Sequence, residues 1–109
     1  MDIKFKIWLE EYGIPIIGEG KYKLLKKVSE VGSLNKAAQE LNIPYKKAFN
    51  FIKLIEEQVN QPVLIRTQGK AAKISEYGTK LIKIYEYFHN EIDKFLKKKL
   101  REFDEKDIK

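Results

Sequence analysis

Lys46, Asn50 and Lys53 stand four and three residues apart, with Tyr45 and Phe49 beside them. On a helix this spacing gathers all five on one outward face. The side chains suit recognition rather than bond-making. An asparagine can exchange two hydrogen bonds with an adenine edge, Lys46 can donate to guanine or phosphate, and an exposed aromatic ring can meet a thymine methyl. Lys47 and Lys53 suit phosphate, because a flexible point charge positions more than it specifies. Ser33, Asn35 and Lys36 begin the preceding helical segment, where they would hydrogen-bond a nucleic-acid backbone that the segment crosses. The partner these types imply is double-stranded DNA.

Plainer readings accompany each of these. The lysines also suit a solvated face, Phe49 also suits a core position, and Tyr45 also suits a cover over its own helix start. Charge distribution favours the polyanion. The net charge is +6, and residues 33–73 hold seven basic and three acidic side chains. A localised basic surface of this kind is the electrostatic footprint of a polyanion binder.

The chain offers little to an enzyme. It has no Ser/His/Asp set, no GxGxxG and no phosphate-binding glycine loop, and its only histidine, His89, has no cysteine or second histidine with which to hold a metal. No catalytic residue, metal ligand or cofactor is expected. With no cysteine, neither a disulfide framework nor a thiolate site can form, and the expected compartment is the cytoplasm. No apolar run approaches the roughly 20 residues of a membrane span, and the N-terminus lacks the pattern of a signal peptide.

The elements that would position the reading face follow from periodicity. "IKFKIWLEE" alternates, with Ile3, Phe5, Ile7 and Leu9 on one side and Trp8 on the other, and predicts a half-buried strand. Trp8 is expected to be buried against a helix or a partner strand. A turn at Tyr12 and Gly13 leads to a second strand, Ile14 to Ile17, at an edge position because Pro15 lacks a ladder donor. A helix from Lys21 to Val31 would bury Leu24, Leu25 and Val28 and stop at Gly32. Ser33 caps a second helix, whose Leu34, Ala37, Ala38 and Leu41 face inward. Asn42 can take the left-handed conformation, Ile43 plugs the core, and Pro44 suits the first position of a third helix reaching about Val59. This two-residue break defines a helix-turn-helix with the third helix as the reader. "QPVLIRT" and "AAKIS" then form a wing hairpin, with Gly69 and Lys70 at a tip able to reach DNA backbone. Ser75 caps a last helix in which Leu81, Tyr85, Phe88, Ile92 and Phe95 recur at spacings of four and three. Through Phe103 it would extend about 40 Å, and part of its apolar stripe calls for a second copy of the chain.

The runs "GSLNKAA", "IPYKKAF" and "ISEYG", in this order and spacing, resemble the N-terminal domain of the molybdate-responsive ModE-type regulators. The helix-turn-helix also resembles that of LysR-type regulators. The resemblance, from about Lys6 to Tyr85, implies a winged DNA-binding domain that dimerises, and it aligns Arg66 with a basic wing position. The oxyanion-binding domains of full-length relatives lie outside these 109 residues, so no small-molecule effector is expected for this chain.

The expected fold is therefore mainly α with small β-hairpins: a winged helix-turn-helix domain over 1–74, including an N-terminal hairpin over 1–20, followed by a dimerisation helix over 75–109. Sequence-specific DNA binding by a homodimer that regulates transcription is the expected function. The alternative is a winged-helix module for protein interaction or chromatin architecture without operator specificity.

Overall fold

The computed structural model describes residues 1–69 and 71–106, so Lys70 lies outside the described residues. Two short hairpins flank three helices, and a fourth helix leaves the body. In chain order these are β1 (Leu9–Glu11), β2 (Ile14–Ile17), α1 (Glu19–Val31), α2 (Leu34–Glu40), α3 (Tyr45–Val59), β3 (Leu64–Arg66), β4 (Ala72–Ile74) and α4 (Glu76–Lys106). The molecule measures 59 × 31 × 21 Å, elongated because α4 has 31 residues.

The helix boundaries have local causes. Gly32 ends α1 with φ 71° and donates its N–H to the Val28 carbonyl. Ser33 then begins α2, its Oγ accepting from the Lys36 N–H at 3.1 Å. Asn42 takes φ 57°, and Pro44 is the extended N-cap of α3 rather than its first helical residue, so the helix begins at Tyr45, one position later than expected. The small side chains Ala37, Ala38 and Ala48 are all fully buried, which lets α2 and α3 approach closely. Around them pack Leu24, Leu25, Val28, Leu34, Ile52, Ile55 and Val63, while Ile43 is partly buried against this core.

The second hairpin is antiparallel, pairing Leu64 with Ile74 and Arg66 with Ala72. Three anchors fix it. The Ala72 N–H donates to the Gly32 carbonyl at 2.9 Å, tying the wing to the break between α1 and α2. Glu56 of α3 accepts from the Val63 and Leu64 N–H groups at 2.9 and 3.2 Å. Ser75 accepts from the Gly78 N–H and donates to the Pro62 carbonyl, so one hydroxyl caps α4 and holds the wing root. Gly78 is required there, because a Cβ would lie 2.7 Å from both the Val63 carbonyl oxygen and Ile74 Cγ2.

Three expectations are corrected at the edges of the fold. The first strand spans only Leu9–Glu11; residues 1–8 carry the alternation but pair with no strand. Instead Phe5 lies against His89 of α4, with ring centroids 4.7 Å apart. Trp8 is exposed rather than buried, because its side of the alternation faces away from the helices, and its indole N–H donates to Glu10 at 2.7 Å. Leu81 and Tyr85 are buried in their own chain, so they are not free to form an interface. The reason is the way α4 crosses α1: the Tyr22 and Tyr85 rings stack 4.4 Å apart.

Candidate nucleic-acid interface

α3 buries one stripe, Ala48, Ile52 and Ile55, and leaves the opposite side exposed. Lys46, Asn50 and Lys53 occupy the middle of that exposed side by helical phase. Tyr45 and Phe49 lie on the flank nearest the wing, 43% and 41% exposed, with ring centroids 6.3 Å apart. Phe49 is thus a surface residue, its inward place being taken by Ala48. Lys47 lies on the other flank, where its Nζ sits 5.7 Å from the Phe51 ring centroid and Lys21 of α1 sits 5.9 Å from the same ring.

Arg66 reaches from β3 to the reading helix. Its guanidinium lies 5.7 Å from the Phe49 ring centroid, and Nη2 is 3.4 Å from the Tyr45 hydroxyl. Tyr45 and Arg66, together with Leu34, Asn35 and Gly69, line a hollow of about 300 Å³ between the start of α2 and the wing. Ser33 is half-buried and occupied as a cap, whereas the Lys36 side chain is exposed one turn along.

This surface gathers several unpaired cations in one place, although Lys4, Lys6, Lys80 and Lys83 are also unpaired among the described residues. Among the described residues, none of Lys36, Lys46, Lys47, Lys53 and Arg66 has a carboxylate within 4.0 Å. Glu57 is exposed on the same side of α3 but further along, which confines the positive surface to the first turns of the helix.

Two contributors were not singled out from the sequence. Glu56 positions the wing, and the only sequence signal was its place seven residues after Phe49 on the same flank. Lys21 joins the basic surface through the fold alone.

Lys46, Asn50 and Lys53 thus lie on the outward face of the second helix of a helix-turn-helix, beside a wing. A family model described as the bacterial regulatory helix-turn-helix protein, lysR family, matches residues 20–79. The chain belongs to that family. It is 25% identical over 73 residues to the molybdenum transport protein ModE of Azotobacter vinelandii, a match covering 63% of this chain and 27% of that protein. The chain thus spans only about a quarter of that relative. A crystal structure described as the BenM_DBD/benA site 1 DNA complex superposes with a TM-score of 0.61 at 21% identity, covering 75% of this chain and 94% of the other. That likeness shows the shared fold.

Proposed function

We propose that this chain binds double-stranded DNA sequence-specifically, as a homodimer, and regulates transcription. The observation that carries the reading is the exposed, unpaired set of cations on α3 and the wing, grouped around Asn50. Lys46 and Asn50 meet base edges in the major groove, and Lys36, Lys47 and Lys53 meet phosphates. Ser33 and Asn35 border the path of the backbone, and the wing follows it outward. A solved complex with DNA in the same fold supports the assignment by analogy. In this reading the chain acts in the cytoplasm, as fits a member of a family of bacterial regulators. Among the described residues, no helix is long and apolar enough to cross a membrane.

Residues 1–74 form the DNA-binding body in this reading, and α4 joins two copies. On its outer side α4 keeps an apolar stripe of Ile84, Phe88, Ile92 and Phe95, with Phe88 and Phe95 52% and 58% exposed. The N-terminal arm lies on a different side, with Phe5 against His89 and residues 1–5 bordering a hollow shared with Asp93 and Leu100, and leaves the stripe uncovered. The same stripe on a twofold mate matches it in length and character. Two reading helices so related address half-sites about 34 Å apart, or a multiple of that.

Selection of bound sequences from random duplexes tests the reading. A palindromic consensus is expected, and absence of enrichment would sink sequence specificity. Sedimentation at micromolar concentration tests the assembly: a dimer is expected, and Phe88→Glu should release monomers.

A further inference from the structure

The pair Tyr45 and Phe49 is unusual on a face otherwise built of lysine and asparagine. Both rings are nearly half exposed, and neither is needed for the core, which Ala48 and Ile52 fill from the same helix. The rings are held in place rather than loose. They lie 6.3 Å apart along α3, the Arg66 guanidinium covers Phe49 at 5.7 Å, and the same group reaches the Tyr45 hydroxyl at 3.4 Å.

Resting on the DNA-binding reading above, we infer that Tyr45 and Phe49 form a receptor for the thymine 5-methyl group in the major groove, and that Arg66 is the positioning residue that holds the two rings. In a duplex the base faces are stacked and closed to the protein. The apolar feature left in the major groove is the thymine methyl. A ring face or edge at the start of a reading helix meets that methyl directly and removes its surface from water. Arg66 suits the positioning role because a planar, weakly hydrated guanidinium can stack on one ring while donating to another group. A lysine carries the same charge but lacks the planar fork that stacks flat on a ring while donating along its edge. Phosphate binding alone would not require a guanidinium parked over an aromatic ring.

The experiment uses the full chain and its selected operator, with each thymine replaced in turn by deoxyuridine, which removes only the methyl. Wild-type protein should lose about three- to fivefold affinity at one or two positions per half-site, the worth of one buried methyl. Phe49→Ala should bind thymine and uracil versions alike. Arg66→Lys should lower the thymine-to-uracil ratio while leaving the salt dependence of binding unchanged, since the charge is retained. Wild-type binding that ignores every uracil substitution would overturn the methyl receptor and leave DNA binding intact. An Arg66→Lys protein with the full ratio would overturn the positioning role and make Arg66 a phosphate contact. Failure to bind any duplex would instead remove the DNA-binding reading itself.

Discussion

Six lysines of α1 and α4 and the three of α3 are chemically the same side chain in opposite circumstances. On α1, Lys23 pairs with Glu19, Lys26 with Glu86 at 3.1 Å, and Lys27 with Glu30 and Glu40. On α4, Lys94, Lys97 and Lys99 each have a carboxylate three or four residues away. On α3 the lysines have none among the described residues. Exposed pairs contribute about 1 kcal/mol or less each, so the difference matters little for folding. It matters for the field: paired cations cancel at short range, whereas unpaired ones present a net positive surface to an incoming polyanion. The aromatic residues divide in the same way. Tyr22 and Tyr85 are stacked in the seam between α1 and α4, while Tyr45 and Phe49 face solvent.

Charge removal breaks the comparison most sharply. Replacing Lys46, Lys47 and Lys53 together by glutamine should weaken operator binding about a hundredfold or more and reduce the salt slope by roughly three. The matched set Lys23, Lys26 and Lys27 should change binding by less than about threefold. Filter binding or fluorescence anisotropy across a salt series reads both. Equal losses from the two sets would mean that net charge alone governs binding.

A smaller effect separates reading from holding within α3. Asn50→Ala should cost about 1–3 kcal/mol on the preferred site and relax one base position, whereas Lys53→Ala should weaken all sequences alike. Competition against single-base variants of the operator distinguishes them. A uniform loss for Asn50→Ala would move that residue from base edge to backbone.

Much of this division was legible in the chain because it follows from helical phase. The 3.6-residue period places Ala48, Ile52 and Ile55 inward and so turns Lys46, Asn50 and Lys53 outward, and Gly32, Ser33 and Asn42 mark the breaks by their backbone preferences. The arm at 1–8 misled because alternation reports which side chains face in, not whether the backbone has a strand to pair with. Its neighbour is α4, where Phe5 meets His89 from the far end of the sequence. The stripe on α4 misled for a related reason: a spacing of four and three marks an apolar face but cannot divide it between the chain's own core and a partner. Leu81 and Tyr85 went to the first, and Phe88 and Phe95 were left exposed. The Arg66 contact with Tyr45 and Phe49 depends on the wing folding back on the reader, which no local pattern encodes.

The smallest effect lies in the paired region, and pH exposes it. Tyr22 donates to Glu86 at 2.6 Å, and Lys26 lies 3.1 Å from the same carboxylate oxygen. The hydrogen bond from Tyr22, helped by Lys26, holds the Glu86 carboxyl below its ordinary value of 4.5, although burial pushes the other way. The folded protein therefore resists protonation there more than the unfolded chain does. This contribution is fully present above about pH 4.5 and drains away as pH falls through the lower folded value. Glu86→Gln should accordingly cost about 1 kcal/mol near neutral pH, with the gap to wild type closing under acid conditions. The alkaline limb has the opposite origin. Burial, reinforced by Glu86, raises the Tyr22 hydroxyl above its ordinary 10.0, so the unfolded chain releases its proton first and stability falls as pH climbs past that value. Tyr22→Phe should flatten this limb, while operator binding near neutral pH stays within about twofold of wild type because the seam lies away from α3. Urea unfolding across pH, run beside DNA titrations, measures both. A Tyr22→Phe protein that lost operator affinity along with its alkaline limb would show that the two regions are coupled.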